Sequence, residues 1–174
     1  MNNNQSILIA GVGNIFLGDD AYGVEVVREL AQRDLAQQVH VIDFGIRAYD
    51  LAYALTEPYE AIILVDAVRR GALPGTLYLI EPDLETLSAK PSELPDAHSL
   101  DVTTVLQMAQ SFGGISAKLY LVGCEPGVLE NPDGDFLLTE AVRTTIPQAI
   151  EMIESLVGRL IDSEPKISTG VAPV

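Results

Sequence analysis

The sequence predicts an α/β fold in which helices sandwich a mainly parallel sheet, and three observations carry that expectation. Short apolar runs rich in β-branched residues recur along the chain. Segments of helical period lie between them, and the resulting β-α-β-α-β order favours parallel strands joined by crossover helices. Most of the runs are near-continuously apolar rather than alternating, as strands covered on both faces tend to be.

In chain order, the first strand is expected over Ser6–Gly11 (SILIAG). A helix from about Asp20 to Arg33 then sets Val24, Val27, Leu30 and Ala31 on one face. Val39–Phe44 (VHVIDF) is the second strand, Tyr49–Leu55 a short helix and Ala61–Val65 (AIILV) the third strand. Thr76–Ile80 (TLYLI) is the fourth. Pro82, Pro91 and Pro95 mark Glu81–Ala97 as a long loop, a type of segment that often carries function. Leu100–Ser111 is expected as a helix with Ser99 at its N-cap, and Lys118–Gly123 as the fifth strand. The last helix, Ile146–Leu160, spaces Ile146, Ile150, Ile153 and Val157 by four, three and four. Thr145 is its expected cap, and Pro147 sits in the first turn, where a missing N–H costs nothing.

With 174 residues the chain is near the size of one domain of about 150 residues. Residues 1–162 are expected to form it, with 163–174 as a flexible C-terminal tail. Twenty-five acidic residues against 10 basic ones give a formal charge of −15. Such a surface repels nucleic acid and anionic lipid, whose binding depends on basic side chains displacing counterions. The single cysteine, Cys124, excludes an intrachain disulfide and a cysteine-rich zinc site. MNNNQS lacks the basic start of a signal peptide, and no run approaches the roughly 18 apolar residues of a membrane span. A cytoplasmic monomer is the expectation.

The motif that organises the chain is Gly11–Gly23, GVGNIFLGDDAYG, directly after the first apolar run. Phe16 stands where a dinucleotide fingerprint needs glycine. A phosphate loop laid on Gly13 to Gly18 runs into Asp19 and Asp20, where lysine and a hydroxyl belong. Two carboxylates repel a phosphate and favour a cation. In open α/β sheets ligands bind beyond the carboxyl ends of the strands. Asp19 and Asp20 follow strand one, Asp43 ends strand two, Asp66 ends strand three, and His98 precedes a helix, so one rim gathers carboxylates and an imidazole. That donor set suits zinc, nickel or iron better than calcium or magnesium. Simpler roles compete: Asp19 and Asp20 as helix caps, Asp66 as a turn residue, His98 as a structural histidine. His40, inside a strand, is expected to be structural.

GVGNIFLGDDAYG, then VIDFG, IILVDAV, PDAHSLDV and LYLVGCEP, in that order, resemble the hydrogenase maturation endopeptidases from about Ser6 to at least Leu129. The resemblance implies a three-layer αβα sandwich of phosphorylase/hydrolase-like or flavodoxin-like winding. It implies a peptidase that removes a C-terminal extension from the large-subunit precursor of a nickel–iron hydrogenase once nickel is inserted. The family's metal-contacting, catalytic positions map onto Asp20, Asp66 and His98, with Gly11, Gly13, Asn14, Asp19 and Asp43 in support. Some members carry glutamate at the first position, one methylene longer than Asp20. Nickel is expected to arrive within the precursor, with zinc or another divalent ion as the alternative.

Neither G-x-S-x-G nor H-E-x-x-H occurs. Cys124 closes a buried run and reads as a small core hydrophobe rather than as a nucleophile paired with His98. Metal-assisted hydrolysis remains, with Asp19 or Asp43 available to orient a ligand or accept a proton. The competing class is a metal- or nucleotide-binding regulatory domain on the same scaffold.

Overall fold

The computed structural model describes residues 6–84, 102–129 and 137–162. The expected tail 163–174, most of the Glu81–Ala97 loop, and His98 with Ser99 lie outside them. Among the described residues one sheet holds β1 (Ile7–Val12), β2 (Val39–Gly45), β3 (Ala61–Ala67), β4 (Leu77–Ile80) and β5 (Lys118–Cys124). The spatial order is β2-β1-β3-β5-β4. Neighbours are parallel except β4, which runs antiparallel to β5 at the edge. A flavodoxin-like sheet is ordered 2-1-3-4-5. Here β5 lies between β3 and β4, so of the two expected windings the flavodoxin-like one does not apply.

The near-continuous apolar strands are explained by two cores split at period two. Ile7 and Ile9 of β1, with Ala61, Ile63 and Val65 of β3, pack under α1 (Tyr22–Leu30) and a long C-terminal helix, Ile146–Asp162. Leu8, Ala10, Val12, Ile62 and Leu64 face the other way, under α2 (Ala48–Thr56) and α3 (Val102–Phe112). The result is three layers. Cys124 is fully buried in the first core, and His40 is exposed on β2, edge-on to Tyr59 with ring centroids 6.1 Å apart. No helix among the described residues is long and apolar enough to cross a membrane.

Three local expectations shift. The helix expected over Asp20–Arg33 divides into a 3-10 turn, Gly18–Ala21, and α1. Its far end tightens, with Gln32 N–H reaching Glu29 O and Arg33 N–H reaching Leu30 O, three residues back rather than four. A one-turn helix, α4 (Glu140–Arg143), precedes the C-terminal helix, which becomes α5. Thr145 does not turn its hydroxyl to α5: that group donates to Val142 O at 2.7 Å and also meets Tyr22 Oη at 3.1 Å.

The chain leaves β1 for β2 on one side and then crosses to β3 on the other. The crevice beyond β1 and β3 is therefore the topological switch point, where such sheets bind ligands. The start of α1 seats directly on it. A Cβ on Gly23 would lie 2.0 Å from Val65 O and 2.3 Å from Val12 O, at the C-terminal ends of β3 and β1. Gly23→Ala should therefore push α1 off the sheet and cost more than about 3 kcal/mol in urea unfolding, or abolish soluble expression. Gly158, inside α5 with open space around its Cβ position, gives the control. Gly158→Ala should stabilise the fold by about 0.5–1 kcal/mol.

Candidate active site

The β1 exit turns back on itself. Gly13 has φ +135°, and a Cβ there would sit 1.8 Å from Asp20 O. Its N–H donates to Gly45 O at 3.1 Å, tying the β1 and β2 exits together. Asn14 then organises the turn. Its N–H donates to Asp20 Oδ2 at 2.8 Å, its side-chain Oδ1 accepts from Phe16 N–H at 2.9 Å, and its carbonyl accepts from Leu17 N–H. Asp20 is half-buried at the rim as a result. Burial raises its pKa above the ordinary value, and the Asn14 N–H works in the opposite direction.

Asp19 points the other way. It is completely buried, and its carboxylate accepts from Gly127 N–H at 2.7 Å, Val128 N–H at 2.9 Å, Thr139 N–H at 2.6 Å and the Thr139 hydroxyl at 3.0 Å. Four donors match the roughly four lone-pair sites of a carboxylate. Asp19 thus clamps the 3-10 turn to the β5 exit and to the start of α4, and it does not cap its own turn. Thr139 holds the N-cap position of α4 but spends its hydroxyl on Asp19 rather than on that helix.

Asp66 ends β3 in register with Gly123 of β5 and is buried, its Oδ1 accepting from Ala67 N–H at 2.8 Å. Asp43 lies on β2 in register with Gly11, its Oδ2 3.3 Å from Arg28 Nε. The switch point thus brings Asp20 and Asp66 to the exits of adjacent strands. His98, the third expected ligand, lies outside the described residues. Among those residues no group of three His, Cys, Asp or Glu could hold a metal ion.

Sequence reasoning missed Glu125, although an acid straight after a buried strand was the signal that found Asp43 and Asp66. Buried at the β5 exit, it accepts from Arg70 N–H at 2.8 Å, Gly71 N–H at 3.2 Å and the Tyr78 hydroxyl at 2.7 Å. Glu125 therefore fixes the loop that begins at Asp66, while Gly127 and Val128, two and three residues on, are held by Asp19. Four consecutive residues, 125–128, brace the supports of both Asp20 and Asp66. The Tyr78 hydrogen bond, with the backbone N–H groups, holds the Glu125 pKa below its ordinary 4.5. Cys124 is unsuited to nucleophilic attack, because burial raises its thiol pKa and its sulfur lies 3.6 Å from the Thr145 hydroxyl.

Fold and rim together define an open α/β protein with a carboxylate-bearing crevice at its switch point. Residues 24–156 match the family model for hydrogenase maturation protease. The hydrogenase 2 maturation protease of Escherichia coli (strain K12) is 33% identical over 148 residues, covering 84% of this chain and 87% of that protein. The hydrogenase expression/formation protein HupD of Rhizobium leguminosarum is 33% identical over 146 residues, covering 83% and 70%. The solved structure of the E. coli hydrogenase maturating endopeptidase HybD aligns with a TM-score of 0.72 at 30% identity, covering 89% of this chain and 93% of that one. The chain belongs to the hydrogenase maturation protease family.

Asp19→Asn keeps the shape but leaves one oxygen to serve four donors, and it should cost about 2 kcal/mol or more in urea unfolding. For Glu125 the folded-state pKa is depressed. Its stabilisation is therefore complete above pH 4.5 and is lost as pH falls through the lower folded value. Glu125→Gln should lower the melting temperature at neutral pH and flatten its fall on acidification, as followed by circular dichroism.

Proposed function

We infer that this protein is the endopeptidase that removes the C-terminal extension of a nickel–iron hydrogenase large-subunit precursor after nickel insertion, and that the nickel is brought by the precursor. The observation that carries the reading is the arrival of Asp20 and Asp66 from two strand exits at one switch-point crevice in a member of this family.

Two carboxylates flanking one crevice, one half-buried and one buried, fit a divalent cation by donor chemistry. Asp20, Asp66 and His98 would hold it. When bound there, the ion supplies Lewis acidity toward the scissile carbonyl and toward water. The chain's own part is positioning. Asn14 fixes the Asp20 carboxylate, Asp19 and Glu125 fix the backbone on either side, and Asp43 is the rim carboxylate within reach of solvent to accept a proton. Recognition of nickel restricts cleavage to precursors already loaded, so an empty large subunit keeps its extension.

The test is intact mass of the precursor after incubation with the protein. Nickel-loaded precursor should lose its extension and nickel-free precursor should not. Asp20→Ala, Asp66→Ala and His98→Ala should fold and process at least about a hundredfold more slowly. Cys124→Ala should process at near the wild-type rate. An unchanged mass of loaded precursor would point instead to a regulatory binding domain, and undiminished processing by all three ligand variants would remove the assigned site.

A further inference from the structure

Among the described residues four Phe and Tyr side chains are well exposed: Phe16 at 62%, Tyr49 at 67%, Tyr53 at 59% and Phe112 at 39%. They are not scattered. Tyr49 and Tyr53 are four residues apart and so share the outer face of α2. Ile46, 62% exposed, directly follows the β2 exit at Gly45, two residues before that helix begins. Tyr53 stacks on Phe112 at the end of α3, with centroids 4.6 Å apart and planes 13° from parallel. At the other end, the Gly13 N–H to Gly45 O bond joins the β2 exit to the turn that carries Phe16 and, four residues later, Asp20. Exposed apolar and aromatic side chains thus run as a band from Ile46 at the β2 exit across α2 to α3, and the β2 exit is tied to the rim turn that carries Phe16.

We propose that this band is the docking surface for the folded body of the precursor, and that the occupant presents an apolar face rather than a basic one. The proposal rests on the processing function inferred above. Isolated exposed apolar residues are ordinary, but a row of exposed aromatics crossing two neighbouring helices has the composition of an interface centre. The charges beside it argue against electrostatic capture. In a chain of formal charge −15, Arg47 at the start of α2 and Arg28 on α1, across the β2 edge, are already paired. Arg28 bonds Glu25 at 3.1 Å and Asp43 at 3.3 Å, and Arg47 bonds Asp50 at 3.4 Å and the Phe44 carbonyl at 3.1 Å. Asp50, between Tyr49 and Tyr53 in the chain, is thus already countered by Arg47, and Glu25 and Asp43 share Arg28. The link to the rim turn makes the substrate protein, whose extension must reach Asp20, the occupant that fits.

The experiment uses the full chain with Tyr49→Glu and Tyr53→Glu combined, against intact precursor. The Kd for precursor and the KM should each rise at least about tenfold, with kcat at saturation held within about twofold. Circular dichroism should show an unaltered fold, since both side chains are exposed, and Tyr49→Phe with Tyr53→Phe should bind like wild type. Wild-type Kd and KM in the glutamate variant would overturn the proposal. So would a Kd that weakens more than about tenfold between roughly 0.05 and 0.5 M salt, the mark of a basic occupant. So would a wild-type dimer, seen by sedimentation, that the glutamates dissociate without altering processing. Because Kd is measured without cleavage, precursor that binds the band yet is never shortened would defeat the inferred function and leave the docking surface intact. Normal processing by the variant would do the reverse.

Discussion

A carboxylate can be taken wholly out of water only if something replaces the water on each of its lone pairs. Asp19 meets that condition with three backbone N–H groups and one hydroxyl, all supplied from more than 100 residues away in the chain. The β1 exit, the β5 exit and the start of α4 are not regular elements at that point, so these bonds, together with Asp19 N–H to Val128 O at 2.9 Å, fix their spacing. Without the carboxylate the 3-10 turn keeps the Asp19 N–H to Val128 O bond and short-range bonds such as Asn14 N–H to Asp20, but it loses its tie to the start of α4. The geometry of the rim acid depends on the burial of its neighbour.

This explains why two adjacent aspartates are useful where either alone would serve less well. In a 3-10 turn, with three residues per turn, consecutive side chains diverge by roughly a third of a rotation. One can face the core while the next faces the crevice. Asp19 takes the inward direction and Asp20 the outward, so neighbouring positions of one residue type divide anchoring from chemistry. Asp66 gains its support differently, from the strand it terminates and from the loop that Glu125 holds. Each rim acid has a second acid behind or beside it, and residues 125–128 connect the two arrangements.

The layered fold was legible because burial on both faces leaves a signature that needs no partner to be seen: apolar runs such as ILIA and IILV. The direction and place of β4 were not, since LYLI reads the same in either sense and strand order is set by how the crossovers pack. The candidate site was half legible. An acid after an apolar run marks a strand exit, which located Asp43 and Asp66, and the same rule applied to VGCEP would have located Glu125. What one sequence withholds is orientation. Nothing in GDD tells which aspartate faces inward, and Thr145 reads as a cap until the structure turns its hydroxyl to Val142 and Tyr22.

The two proposed recognition elements differ in what they can discriminate. An apolar docking band touches parts of the precursor far from the metal centre, and it binds loaded and empty precursor alike. Binding energy shared equally by both lowers KM for both and selects neither. Under the proposed function, selection for nickel would come from interactions that exist only when the ion is present, at Asp20 and its proposed partner ligands, and such interactions would act on the step that breaks the bond. A protease that docks its substrate tightly without regard to metal would therefore be occupied by empty precursor as readily as by loaded. Release of the empty form has to be fast for the enzyme to turn over. That requirement favours a docking surface of a few exposed side chains on one helix over a deep pocket, and the α2 band, with Tyr49 and Tyr53 still more than half exposed, is of that kind.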